Sequence, residues 1–465
     1  MTYSRTNQSF ITVSLFLRRM AKDRVEEFLK NPKRALLVLA TPIIVSMIVQ
    51  TLYSIVDTAF VGRLGTEALA ALTFTFPPFL VLIALTSGLG AGMSSRISRS
   101  LGARHKTSAE NAAMHGLFIS LILAVIVLII GLPILEPFFT LLGATEAIAK
   151  LATDYMKIIL FGALFMFPAQ AIASIFSAEG DTRTPTKVSV SSLVLNIILD
   201  PIFIYVLGLG VKGAAIATVI SFLASLLLSV YFVIKKSYLH IHLSSFSFSP
   251  RITRDIIDVG APAGLMILLM SLYTSFISRL MAHFGTVYVA SYGIASRVEH
   301  IAVMPVVAFS IAAMILTAMF LGAREYNALK VVSDYSIRVM FVFTLLMAAL
   351  FFLMPVLFLR IFTQELELLS LGAAYLRVSA FSLPPFAIGM MVSRIMQGLG
   401  YGLPGLVVTV ARLIIIAMPL MYFAIFVLGY SYLAIPAAMV ISGVVSAGIA
   451  LVWLRAEFRE SVASD

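Results

Sequence analysis

Apolar residues run almost continuously through this chain, broken at intervals by short polar or Gly/Pro-containing stretches. Reading from break to break predicts twelve helices, over about 35–62, 68–98, 112–135, 148–176, 187–208, 213–234, 257–282, 287–320, 333–358, 368–396, 403–428 and 432–454. Each run reaches the roughly 20 apolar residues that a helix needs to cross a hydrocarbon core. The runs are continuous rather than alternating, which fits spanning helices and not barrel strands. The expected architecture is an all-α integral membrane protein, with twelve transmembrane helices in two six-helix bundles related by a pseudo-two-fold axis along the membrane normal.

The two bundles are read from an internal repeat. Shifted by 220 residues, "ATPIIVSMIVQTLY" falls on "GAPAGLMILLMSLY", and Leu52-Tyr53 meets Leu272-Tyr273. Gly65-Thr66 meets Gly285-Thr286, and "LGAR" at 101–104 meets "LGAR" at 321–324. Near the end the shift becomes 221, where "VIS" at 219–221 meets "VIS" at 440–442. Matches held on one register over most of each half indicate duplication. Six spans per half give both copies the same orientation, a transporter plan with substrate between the halves. The expected division is a cytoplasmic N-terminal segment 1–34, an N-terminal lobe 35–240, a cytoplasmic linker 241–256 and a C-terminal lobe 257–465. At the extreme N-terminus, "SFITVSLFL" is too short to span, and its charges follow rather than precede it, unlike a signal peptide. It reads as an interfacial helix, or as sequence upstream of a start at Met20.

Composition reinforces the membrane reading. The chain is 60% hydrophobic and 12% charged, with a mean hydropathy of +1.03, more apolar surface than a soluble fold of this length can bury. It has no Cys, which excludes disulfides, thiolate metal sites and catalytic thiols. The net charge of +11 does not call for nucleic acid. With both termini and the even-numbered loops placed on one side, that side holds 23 of the 33 Lys and Arg. Both termini are therefore expected to be cytoplasmic, in the cell membrane.

Three acids interrupt the apolar pattern: Asp57, Asp200 and Glu299. A mid-membrane carboxylate costs roughly 2.5–3.5 kcal/mol on insertion scales, so one that is kept faces a cavity or a partner. Gln50, Tyr53 and Asp57 share one helix face, as do Ser192, Asn196 and Asp200. The repeat sharpens this. The positions equivalent to Asp57, Asn196 and Asp200 are Ile277, Ala417 and Met421, so the second copy is apolar where the first carries oxygens. Shared scaffolding alone does not predict that asymmetry, which points to a cation site in the first lobe. Two acids and an amide offer hard oxygen ligands for Na⁺; the same acids close together also suit a proton carrier. Both remain open. Glu299 with Arg297 reads as a local charge arrangement or as lining of a substrate path. Pro42 lacks a backbone donor and marks a bend point in the first span.

The stretches "VDTAFVGRLGTEALAA" (56–71) and "EGDTRTP" (179–185), with the 6+6 plan, resemble the multidrug and toxic compound extrusion (MATE) family, and in detail its DinF-like branch. The resemblance runs through nearly the whole chain from about Met20. It implies cation-coupled export, driven by H⁺ or Na⁺, of organic and often cationic drugs by alternating access, with no cofactor beyond the coupling ion. It adds Thr218 to the cation-coupling set with Asp57, Asn196 and Asp200, and Tyr155 to a substrate path with Gln50, Tyr53, Arg297 and Glu299. The implied partners are drug-like small molecules and the lipid bilayer, not nucleic acid, and the expected state is a monomer. A lipid-linked precursor flippase of the same superfamily is the alternative. An enzyme would need a convergent nucleophile or metal set, which the sequence lacks.

Overall fold

In a computed structural model the chain is almost entirely helical. The structure describes the backbone of residues 24–242 and 246–463, and their side chains except at 53–55 and 459–463. The expectations for residues 1–23, including a start at Met20, and for the Tyr53 side chain lie outside the described residues. Among the described residues, twelve helices are long and apolar enough to cross a membrane. We label them α1 (Pro32–Gly62), α2 (Thr66–Gly102), α3 (Lys106–Leu141), α4 (Glu146–Ala178), α5 (Arg183–Val206), α6 (Gly210–Lys236), α7 (Pro250–Phe284), α8 (Thr286–Gly322), α9 (Tyr326–Leu353), α10 (Leu366–Leu399), α11 (Leu403–Val427) and α12 (Ala434–Phe458).

All twelve predicted spans are present, mostly longer than the apolar run that announced them. Helices continue past the hydrocarbon-like core because polar first and last turns, such as 106–111 in α3, still close backbone hydrogen bonds. The ninth span differs most. Instead of one helix over 333–358, α9 starts at Tyr326 and stops at Leu353, and a separate short helix covers Pro355–Leu359. Pro355 has no N–H to donate and restricts the residue before it, so the chain breaks at Met354 (φ −130°, ψ 46°).

Among the described residues the fold divides into two units, 24–31 with 41–260, and 32–40 with 261–463. Within unit 1 the core is built around α4, with Phe139, Met156, Ile159 and Phe167 fully buried. Within unit 2 the core gathers Ile277, Leu376, Met421 and Ile435. The repeat is visible in backbone torsions. Gly65 (φ 117°) and Gly285 (φ 131°) open α2 and α8; Arg104 (φ 60°) and Arg324 (φ 59°) follow the ends of the same helices in left-handed geometry. Gly208 (φ 66°) and Gly429 (φ 68°) repeat likewise. A side chain pays a steric penalty in that region, so two equivalent arginines there mark a shared, over-determined turn.

Two local features position the site described next. Pro201 removes a donor near the end of α5, and the last turn, Ile202–Val206, widens to π geometry, with Leu207 N donating to Ile202 O at 2.9 Å. The turn ends the α-helix just after Asp200. The segment joining α6 to α7 spans 237–249, shorter than the expected 241–256 at its far end because α7 already starts at Pro250. Side chains of unit 1 hold it: Glu179 Oε1 accepts from Ser237 Oγ (2.5 Å) and Leu239 N (3.1 Å), and Glu110 Oε1 from His240 N (2.9 Å). His115 Nε2 accepts from Ser249 N at 2.9 Å.

Candidate functional site

Asp200 sits at the last α-helical turn of α5, buried completely, with Asn196 one turn earlier at 2% exposure. Helical spacing stacks the two, and Asn196 Nδ2 donates to Asp200 Oδ1 at 3.3 Å. Another turn earlier on the same face, the Ser192 hydroxyl donates to the Ser221 carbonyl on α6 (2.6 Å), fixing α5 against its neighbour. Asp57 on α1 lies within electrostatic reach of Asp200, and both lie within reach of the Tyr155 hydroxyl on α4. Thr218 on α6 lies near that hydroxyl and donates its own to Ala214 O at 3.0 Å. Four helices of unit 1 thus bring Asp57, Tyr155, Asn196, Asp200 and Thr218 into one group.

The group is short of donors. Asp57 Oδ1, Asn196 Oδ1 and Asp200 Oδ2 are all sealed from solvent with no hydrogen-bond partner. A buried carboxylate oxygen without a donor carries a desolvation cost of kcal/mol size. Two such oxygens together with the Asn196 amide oxygen, with no Lys, Arg or His ion-paired to either acid among the described residues, make an acceptor-rich, electronegative group. A proton or a hard monovalent cation satisfies this donor set; an anion does not. The residues therefore fit the expected coupling ion on chemistry as well as on position.

Other expected residues stand apart. Gln50 is exposed on α1, and makes no hydrogen bond to the group among the described residues. Pro42 lies inside the continuous α1, and its carbonyl accepts from Thr186 Oγ1 at 2.9 Å, tying α1 to the start of α5. Arg297 and Glu299, expected as a local charge arrangement or as lining of a substrate path, form no ion pair with each other among the described residues. Two residues apart on α8 they project to different sides: Arg297 is exposed, whereas Glu299 Oε1 is sealed and unpartnered.

The repeat-equivalent region of unit 2 is apolar. Ile277, Ala417 and Met421 are at most 1% exposed and belong to its core, and Met439, the counterpart of Thr218, packs on it. Of three tyrosines near Glu299, Tyr292 and Tyr375 escaped the sequence reading, and Tyr273 entered it only as the repeat match of Tyr53. The signal was available for two: Tyr273 and Tyr375 stand 220 residues after Tyr53 and Tyr155. Glu179 and Asp181 of the "EGDTRTP" stretch have structural work. Glu179 holds the connecting segment, and Asp181 accepts from Arg183 N and Thr184 N (both 3.1 Å), satisfying free donors at the start of α5.

Comparison with known proteins follows this geometry. The MatE family model matches residues 42–202 and 262–423, once in each half. A protein named FAD transporter from Shewanella oneidensis is 31% identical over 427 residues, covering 88% of this chain and 92% of that one. The multidrug export protein MepA of Staphylococcus aureus is 26% identical over 386 residues, covering 82% and 85%. A solved structure described as MATE in the bent conformation superposes with a TM-score of 0.90 at 33% identity, covering 95% of this chain and 98% of that chain.

Proposed function

Because the chain belongs to the MATE family of multidrug efflux transporters, a family of membrane transporters and not of enzymes, we propose that it is an antiporter exporting organic, often cationic, compounds in exchange for H⁺ or Na⁺. The coupling ion binds at Asp57, Asn196 and Asp200, with Tyr155 and Thr218 completing the wall. The observation that carries this reading is the cluster of three unpartnered oxygens, Asp57 Oδ1, Asn196 Oδ1 and Asp200 Oδ2.

The physical logic is exchange at a shared electronegative site. When the ion leaves, the acids carry uncompensated charge in a low-dielectric setting, and an organic cation becomes the favoured replacement. When the ion binds, that attraction disappears and the drug is released. Coupling needs only that ion and drug bind in mutually exclusive ways. Pro42 supplies a place where α1, which carries Asp57, bends between the two states. Gln50 and Tyr53 lie on that helix, along the path the drug takes. The N- and C-termini face the cytoplasm, and the protein works as a monomer in the cell membrane.

The test is export of a cationic dye from proteoliposomes under imposed H⁺ or Na⁺ gradients. Asp57→Asn and Asp200→Asn are each expected to abolish gradient-driven export. Normal export by both variants under both gradients would remove the coupling assignment, and varying the gradients separately identifies the ion.

A second reading concerns the cargo. The FAD transporter relative suggests a flavin nucleotide, and one observation in unit 2 favours it: the Arg412 guanidinium lies over the Phe386 ring at 5.1 Å with no carboxylate partner among the described residues. A cation on an aromatic face is a platform for a planar anionic ligand. Flavin nucleotide efflux lost in Arg412→Gln, with dye export intact, is the expected outcome on that reading.

A further inference from the structure

Two charged side chains of unit 1 serve neither the ion group nor the fold, and they share a groove. It measures about 810 Å³ and is lined by Pro133, Glu136, Pro137 and Thr140 of α3 and by Lys157 of α4, inside the roughly 300–1,000 Å³ range of ligand sites. Glu136 and Lys157 are exposed. Neither has an ion pair among the described residues, with the other or with any third group. Asp154, one turn before Lys157 on α4, is taken by Lys212 at 3.0 Å.

The sequence sets the depth of both charges. Residues 117–135 of α3 carry no charge over 19 positions, about 28 Å of helix, and Glu136 follows directly. Residues 158–178 of α4 carry none over 21 positions, and Lys157 precedes them directly. Each run matches the ~30 Å hydrocarbon core, so both charges stand at headgroup depth, at the end of the bundle where α3 stops and α4 starts. Leu135 and Phe139 turn into the core of unit 1, whereas Ile129, Ile130 and Ile134 are exposed within the acyl-chain zone.

The two prolines add acceptors. Neither has an N–H, so the carbonyls four residues earlier, of Ile129 and Pro133, lose their helical donors. A carbonyl without a donor is costly next to lipid. Thr140 does not supply one, since its hydroxyl donates to the Glu136 carbonyl at 3.0 Å. The α3 wall therefore offers a carboxylate and freed carbonyls, and the α4 wall offers one ammonium. Unit 2 has no such arrangement. Leu353, Val356 and Leu357 stand at the positions of Pro133, Glu136 and Pro137. Arg377, the counterpart of Lys157, donates from Nε to the Phe352 carbonyl at 3.4 Å, so the cation there closes on helix backbone.

We propose that the groove seats a phospholipid with a primary-ammonium headgroup, of the phosphatidylethanolamine type. The ammonium donates to Glu136 and to the freed carbonyls, the phosphate lies against Lys157, and the acyl chains run along Ile129, Ile130 and Ile134. A primary ammonium brings three N–H donors, and lysine meets phosphate as a point charge. A choline headgroup brings the positive charge without the donors; a glycerol headgroup leaves Glu136 facing an anion. This site does not depend on the ion exchange proposed at Asp57 and Asp200.

The experiment titrates the purified full-length protein in detergent with dioleoyl phosphatidylethanolamine, its N-methyl and N,N-dimethyl forms, phosphatidylcholine and phosphatidylglycerol. Native mass spectrometry counts the lipid retained. The wild type is expected to hold one phosphatidylethanolamine at several-fold lower concentration than phosphatidylcholine or phosphatidylglycerol, with the methylated forms in order between. Glu136→Gln and Lys157→Gln are each expected to abolish that preference. Both side chains are exposed, so the substitutions leave the core intact, and the methylated series needs no variant. Equal retention of phosphatidylethanolamine and phosphatidylcholine by the wild type overturns the proposal, as does a preference that either variant keeps. Tightest retention of phosphatidylglycerol makes the groove an anionic-lipid site and overturns it too.

Discussion

At the scale of single residues, the account turns on which oxygens lack donors. Among the described residues Asn196 gives Asp200 its one side-chain hydrogen bond, at 3.3 Å, and leaves its own Oδ1 unpartnered beside the acids. A hydrogen bond to a charged group is worth roughly 1.5–3 kcal/mol. Asn196→Ala should therefore weaken coupling-ion affinity about tenfold or more, read as a rise in the ion concentration that half-saturates dye export. Unchanged half-saturation would remove Asn196 from the ion site. This group was largely legible in the sequence. Asp57 and Asp200 stand out because an acid in an apolar run is costly, and Asn196 because it falls one turn from Asp200. Tyr155 and Thr218 came only through family resemblance, since hydroxyls are too common in membrane helices to signal a site. Glu299 stood out too, for the same reason. Arg297 lies two residues away, and helical geometry sends residues two apart to different faces, so the sequence neighbour is not the spatial one.

At the scale of elements, close backbone approaches and the held connecting segment matter most. A Cβ at Gly213 on α6 would lie 2.5 Å from the Phe203 carbonyl oxygen, inside the π turn that follows Asp200. Backbone cannot yield as a flexible side chain does. Gly213→Ala is expected to cost on the order of 1–3 kcal/mol, lowering the melting temperature in detergent and weakening coupling-ion affinity together. Loss of stability with unchanged affinity would show that the π turn does not position Asp200. Glu179, which holds the connecting segment, gives a pH signature. Burial, opposed by its hydrogen bonds to Ser237 and the 238–239 backbone, pushes its carboxyl up from 4.5 to about 7. Between those values the folded chain holds more protons than the unfolded chain. Its contribution is fully present below about 4.5 and is lost as pH rises through about 7. Melting temperature should fall over that window, and Glu179→Gln should flatten the slope; an unchanged slope would contradict the assignment. Helix existence was fully readable from apolar runs, but ends were not. Polar first turns extend α3 and α7 beyond any hydropathy signal, and the break at Pro355 sits inside an apolar run where only the proline announces it.

At the scale of the whole molecule, duplication followed by divergence frames the function. Torsion angles at Gly65 and Gly285, Arg104 and Arg324, and Gly208 and Gly429 repeat closely, so the scaffold is shared. The polar content is not: unit 1 holds Asp57, Asn196 and Asp200, and unit 2 places apolar residues there and an acid on α8. On the proposed exchange of an ion for a drug, the two exclude each other, and the unpartnered oxygens of unit 1 supply the charge for which they compete. Directly testing this means measuring cationic-dye export from proteoliposomes containing wild type, Asp57→Asn or Asp200→Asn, with H⁺ and Na⁺ gradients imposed one at a time. The account predicts gradient-driven export by the wild type under at least one of the two gradients and none by either variant. Export by both variants at the wild-type rate would contradict it.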